Sequence, residues 1–208
     1  MVTTLTKVKA RRSQAQRRDE SERRLLAAAA ELVVERGMGA ATFENIGARA
    51  GYSRGLVTQR FGSKRGLIEA LIAELQGRLG RLLEDRRVDE LNGLEAVLAY
   101  VDVFLAALDR DGELRAYFVV LAAAVADVSE LRAPFAAAHK QVEQALESFF
   151  LRGQAEGAVR AGIDADAAAL ITGALLFGLS MQLLLDPRMD LAPIRKTSLI
   201  TLRLSFAA

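Results

Sequence analysis

The sequence predicts an all-α protein of about nine helices, a small basic N-terminal domain followed by a larger acidic one. Three observations lead there. Apolar residues recur every three to four positions along most of the 208 residues, and period-2 alternation is absent. Glycines, prolines and short polar residues fall between the periodic stretches, where helices end and begin. Charge is segregated: residues 1–65 hold 14 Lys and Arg against 6 Asp and Glu, a net of +8, while the remainder holds 14 against 20, a net of −6. With 51% apolar residues the chain has enough material for a substantial core.

Taken in order, residues 1–20 include Lys7, Lys9, Arg11, Arg12, Arg17 and Arg18 with almost no apolar side chains, and read as a flexible basic arm. No apolar segment follows the basic stretch, as a secretory signal would require. Ser21 to Arg36 is an amphipathic helix on Leu25, Ala29, Leu32, Val33 and Arg36, stopped by Gly37-Met38-Gly39. Residues 42–61 split into two short helices. Thr42 caps the first, which buries Phe43, Ile46 and Ala50; Gly51 ends it in a left-handed conformation, and Ser53 caps the second. Ser63 then caps a long helix whose stripe runs through Leu67, Ile68, Leu71, Ile72, Leu75, Leu79, Leu82 and Leu83. Further helices are expected at about 91–109, 112–127, 129–157, 164–186 and 191–206. Phe118 to Leu121 has strand propensity, which the Ala-rich continuation outweighs. The chain therefore divides into a basic arm (1–20), a three-helix unit (21–65) and a helical C-terminal domain (66–208).

Two short capped helices joined by a three-residue turn have the layout of a DNA-reading helix-turn-helix. Leu56, Val57 and Phe61 point back toward the first helix, which leaves Arg54, Gly55, Thr58, Gln59 and Arg60 outward. Arg reads guanine edges and Gln adenine edges in a major groove. Arg54 and Gln59 are thus candidate base contacts, and Thr42, Ser53, Thr58, Arg60 and Lys64 candidates for the backbone. The basic arm would lie along the backbone or enter a minor groove, or contribute only nonspecific charge.

Glu35-Arg36-Gly37 followed by Thr42, Ile46 to Ala50, Gly51-x-Ser53-x-Gly55 and Phe61-Gly62-Ser63-Lys64 resembles the N-terminal domain of the TetR/AcrR transcriptional regulators, over roughly residues 21–75. One departure stands out. The resemblance implies an aromatic, usually Tyr, contacting a DNA phosphate at the position held by Thr58, which keeps a hydroxyl and loses the reach.

Between Ala167 and Leu185 there is no charge. Length would admit a membrane span, but Thr172, Gln182 and small residues dilute the segment and no basic cluster flanks it. The expectation is a helix covered on one side by its own domain and on the other by a second subunit. Gly173, Ala174, Phe177, Met181 and Leu184 would form the outer seam, with Leu199 and Leu202 of the last helix beside it. The resemblance places a dimeric four-helix bundle at the same point.

The middle helices carry Tyr100, Phe104, Tyr117, Phe118, Phe135, Phe149 and Phe150, which by spacing alone read as core. The resemblance implies a small-molecule pocket among them, lined by Leu75, Leu79, Tyr100, Phe104, Tyr117, Phe118, Leu121, Phe135 and His139. Tyr100, Tyr117, Asp102 and His139 would orient a mainly apolar ligand, although His139 reads equally as a surface residue. The long helix from Ser63 is the one continuous connection between the two domains, and Gly77 and Gly80 within it would either allow bending or serve close packing.

Cysteine is absent and histidine occurs once, so thiolate chemistry, disulfides and His-based metal clusters have no material. No phosphate-cradling loop or nucleophile with its base is present either, which disfavours a small helical enzyme. The resulting expectation is a cytoplasmic, homodimeric, cofactor-free transcriptional repressor, off the membrane. Its partners would be a near-palindromic double-stranded operator and a small hydrophobic effector of unknown identity. A transcriptional activator or a ligand-independent DNA-binding protein is the alternative.

Overall fold

A computed structural model describes residues 13–126 and 131–208. Among them the chain forms nine α-helices and two single 3-10 turns, with one isolated bridge between Val159 and Ala207 outside the helices. The N-terminal unit is α1 (Gln14–Arg36), α2 (Phe43–Ala50) and α3 (Arg54–Phe61), and α4 (Lys64–Asp85) leads out of it. The remainder is α5 (Gly93–Arg110), α6 (Gly112–Ala126), α7 (Arg132–Ala155), α8 (Ala165–Leu185) and α9 (Leu191–Phe206).

The main departure from expectation is at the start of α1. It begins at Gln14, within the stretch read as a flexible arm, because Ser13 and Gln16 close a capping box. The Ser13 hydroxyl accepts from the Gln16 N–H at 3.1 Å, and the Gln16 carboxamide oxygen accepts from the Ser13 N–H at 2.9 Å. Arg is a good helix former, so a basic sequence is no obstacle. Lys7, Lys9, Arg11 and Arg12 lie outside the described residues, as does the break expected at Asp127 to Ser129.

The helix-turn-helix is set by caps and one close approach. The Thr42 hydroxyl accepts from the Asn45 N–H and that of Ser53 from the Leu56 N–H, while Gly51 takes the left-handed conformation (φ 76°) between the two helices. Gly47 sits so near the turn that a Cβ there would lie 2.8 Å from the Tyr52 carbonyl oxygen. Leu25, Ile46, Val57 and Phe61 form the buried centre of this unit. Arg49 ties α2 to α1, donating to both carboxylate oxygens of Glu35 (2.9 and 2.7 Å) and to Glu31. That pairing holds the Glu35 carboxyl below the usual range.

In the C-terminal part α5 packs between α7 and α9, and α7 lies along α8. The N-terminal unit touches it along two helices, because α6 packs against α1 in addition to the covalent path through α4. The long helix from Ser63 is therefore not the only mechanical link. Helix α4 runs unbroken across Gly77 and Gly80. A Cβ on Gly80 would meet nothing within 4 Å, and one on Gly77 only the Arg81 side chain, so neither glycine serves close packing.

Ion pairs fasten α9 to α5. Arg203 forms a two-pronged pair with Glu95 (2.5 and 2.8 Å), and Arg195 donates to Asp102 at 2.5 Å with Arg86 on its second oxygen at 3.2 Å. Hydrogen bonds from Arg203 and Arg195 hold both carboxyls below their ordinary values. Asp102 is thus consumed structurally and does not line the ligand cavity.

Folded values below the unfolded ones mean stability that is present above the ordinary carboxylate range and lost as pH falls from that range through the lower folded values. Thermal stability should therefore decline as pH falls from about 5 to about 3, and Asp102→Asn, less stable at neutral pH, should show a shallower decline in the same window.

Gly93 opens α5 against the backbone of α7, where a Cβ would collide with the Gly153 nitrogen and the Phe149 carbonyl. Gly93→Ala should cost about 1–3 kcal/mol by overpacking, seen as a lowered urea midpoint at unchanged slope.

Candidate functional site

The outward side of α3 is a small polar surface on a rigid base. Val57 is fully buried and Phe61 nearly so, which fixes the rotation of the helix and leaves Arg54, Gly55, Thr58 and Gln59 exposed. Thr58 donates its hydroxyl to the Arg54 carbonyl at 3.1 Å, so only its acceptor lone pairs remain for another partner. Thr42 and Ser53 are exposed, but their hydroxyl oxygens already accept capping bonds. Lys64 stands exposed at the first position of α4. Arg60 corrects the outward set: it is half-buried and donates to the Ser21 hydroxyl of α1 at 3.2 Å.

Arg60 also marks where α1 meets the end of α3. Gln14, Arg17 and Arg18 lie three to seven residues before Ser21, on the same helical face. The stripe that is apolar from Leu25 onward is basic in this overhang of about 10 Å. Arg17 and Arg18 are exposed and have no ion-pair partner among the described residues. Compositional reading singled these arginines out as part of an arm but missed their helical placement.

Between α4, α5, α6, α7 and α8 lies a cavity of about 550 Å³. All nine residues expected to line it do so: Leu75, Leu79, Tyr100, Phe104, Tyr117, Phe118, Leu121, Phe135 and His139. The rings form a connected cluster. Tyr117 meets Phe118 and Phe135 edge-on at 5.0 and 4.9 Å, Phe104 meets Phe118 at 6.2 Å, and His139 stacks on Tyr117 at 6.1 Å. Burial among these rings raises the Tyr100 and Tyr117 hydroxyls well above the ordinary tyrosine value, so the interior disfavours charge; His139 lines the cavity from an exposed position on α7, where partial desolvation lowers it below the ordinary imidazole value.

Sequence reading missed the polar edge of this cavity. Arg78 of α4 is held at 3.0 Å by Asp111 and also by Glu113, both at the start of α6, with Glu74 at 3.8 Å. Asp111 in addition caps α6 by accepting from the Glu113 and Leu114 N–H groups. Burial raises the Glu113 carboxyl in spite of Arg78. No local pattern could have shown this, because Arg78 and Asp111 are 33 residues apart and meet only through the fold. Ile72 and Leu82 also line the cavity, and their spacing with Leu75 and Leu79 was a usable signal.

Residues 25–71 match the family described as bacterial regulatory proteins, tetR family, and residues 93–203 match the C-terminal domain of BetI-type transcriptional repressors. The chain belongs to the TetR family. Among curated relatives of this TetR-family regulator, the HTH-type transcriptional repressor Rv3405c of Mycobacterium tuberculosis is 34% identical over 99 residues. That match spans 48% of this chain and 46% of the relative, about half the length of each. A solved structure concerned with control of antibiotic production by bacterial hormones superposes with a TM-score of 0.79 at 24% identity, covering 95% of this chain and all of that one. The SmeT–triclosan complex gives 0.74 at 24% identity over 91% and 92% of the two chains, and the fatty acid degradation regulator FadR of Bacillus halodurans 0.75 at 19% over 88% and 94%. At these identities the likeness shows the fold. The family is one of DNA-binding regulators and not of enzymes.

The regulator's last two helices present an exposed apolar face that includes Ala174 and Phe177 of the expected seam and leaves out Leu202. Leu202 is 4% exposed and packs within its own chain, while Gly173, Ala174 and Phe177 border the cavity, where Phe177 touches both Phe118 and His139. Met181, Leu184 and Leu199 are half-buried. The apolar side chains left in solvent are Leu170, Ile171, Phe177 and Leu185 of α8 and Ile200 and Leu204 of α9, with Leu185 at 80% and Leu204 at 76%.

Proposed function

We propose that this protein is a cytoplasmic, homodimeric transcriptional repressor that binds a near-palindromic operator and is released by a small, mainly hydrophobic molecule. One observation carries the reading: an exposed helix of base-reading residues and an aromatic cavity share a chain, with α6 lining the cavity and packed on α1. The repressor names carried by Rv3405c and the BetI-type domain support the direction of control, and the triclosan complex of SmeT supports a ligand in the cavity. A ligand beside Tyr117, Phe118 and Leu121 pushes on α6 and thereby on α1, while Gly77 and Gly80 soften α4. Deleting the gene should raise expression from a reporter carrying the DNA beside it; a fall would make the protein an activator.

Arg54 and Gln59 read base edges in this account, and Thr42, Lys64 and the overhang arginines Arg17 and Arg18 hold phosphates, while the Thr58 hydroxyl, donating to the Arg54 carbonyl, can only accept from a base edge. Ser53 and Gly55 shape the start of the reading helix. In gel shifts over operator variants and salt, Arg54→Ala should lose about 1–3 kcal/mol and relax one operator position. Lys64→Ala and Arg17→Ala should instead weaken all sequences and each lower the salt slope by about one. Equal, sequence-independent losses for Arg54 and Lys64 would refute this division.

Helix α8 is long and apolar enough to cross a membrane, yet only 33% of its most apolar window is buried within the chain. A second copy covering the exposed strip of α8 and α9 accounts for this and sets two recognition helices about 34–36 Å apart, one turn of DNA. Leu204→Glu places a charge on that strip in both copies and should give monomers by light scattering. Leu151→Glu, at an equally apolar but separate exposed site on α7, should remain dimeric. Dimers persisting with Leu204→Glu would move the interface elsewhere.

A further inference from the structure

The cavity holds two hydroxyls that the chain itself does not use. Tyr100 of α5 is 4% exposed and Tyr117 of α6 is 9% exposed, and both line the cavity. Neither hydroxyl has a hydrogen-bond partner among the described residues. Neither oxygen is among the fully enclosed unpaired atoms, so each faces the open space of the cavity, where phenylalanine would present no polar atom to a ligand.

The charged groups around them are mostly committed. Arg78 is surrounded by Glu74, Asp111 and Glu113, and Glu143 is paired with Lys140 at 3.2 Å. Arg132, exposed in the first turn of α7, is the charged lining side chain with no ion-pair partner among the described residues. An anion would have to pair with it at this exposed position, one helical turn before Phe135. The interior offers rings and phenolic O–H donors. Desolvation there already keeps both tyrosines protonated.

We propose that the effector is a neutral, largely aromatic molecule carrying a carbonyl oxygen of the ketone or ester type, which accepts hydrogen bonds from the Tyr100 and Tyr117 hydroxyls. Its apolar body lies against Phe104, Phe118 and Phe135. The inference rests on the reading of this cavity as the effector site. It assigns the two tyrosines the choice between an oxygen-bearing aromatic and a plain hydrocarbon.

The test is calorimetric titration of the full-length protein, without DNA, with naphthalene, 2-acetylnaphthalene and 2-naphthoate. The ketone should bind about tenfold more tightly than naphthalene, the worth of one to two hydrogen bonds, and the carboxylate more weakly than either. In Tyr100→Phe/Tyr117→Phe the ketone's advantage should vanish while naphthalene affinity stays within about twofold, a pattern that lost packing would not give. Tightest binding of 2-naphthoate, an advantage that survives the double substitution, or binding of none of the three would each overturn the proposal. Gel shifts with flanking DNA on the same preparations keep the two readings apart: failure of the probes with operator binding intact sinks the effector assignment alone, and absence of operator binding sinks the regulator reading.

Discussion

The two halves of this molecule depend on the position of α6. One face of the helix supplies Leu114, Tyr117, Phe118, Leu121 and Val125 to the cavity, and the helix packs along α1, whose far end meets α3 through Ser21 and Arg60. Close-packed interiors respond to a new occupant by shifting whole elements, because side chains have little free volume to yield. A ligand wedged against α6 therefore acts on α1 by contact. The start of α6 is also clamped to α4 by Arg78, Asp111 and Glu113, so the two paths to the DNA-binding unit are joined at the rim of the cavity.

The same clamp shapes the chemistry of the cavity. Arg78 and its carboxylates satisfy one another at the edge and leave the interior to rings and two hydroxyls. A site of this kind gains affinity from buried apolar area and selectivity from a few polar atoms. His139 joins the two surfaces, stacked on Tyr117 and edge-on to Phe177, at the side of the cavity nearest the exposed strip of α8. The proposed dimer face and the proposed ligand site thus share one helix, and a second copy seated on α8 would bear on the wall that Phe177 contributes.

The N-terminal unit was legible because its signals are local. Thr42, Gly51, Ser53 and Ser63 act on backbone groups within three residues of themselves, and each does in the structure what its sequence position implied. The lining of the cavity was legible for a different reason: aromatic and leucine residues at helical spacing face inward whatever they enclose. Where several faces of a helix are apolar, the pattern fails. Helix α8 has no polar side to orient it, and the expected seam took in the half-buried Gly173 and left out Leu170, Ile171 and Leu185, which face solvent together with Ala174 and Phe177. On α9, Leu202 turned inward and Leu204 outward for the same lack of contrast.

The sequence by itself determined the helical segments, the caps at Thr42, Ser53 and Ser63, the base-reading candidates and the set of side chains available to a cavity. These follow from periodicity and from side chain to backbone bonds that span a few residues. Only the tertiary structure decided that Arg60 is spent on Ser21, that Asp102 fastens α9 rather than meeting a ligand, that Arg78 finds Asp111 and Glu113, and that α1 reaches α6. Each of these pairs residues far apart in the chain, and which charge or face finds which partner is fixed by how the helices pack.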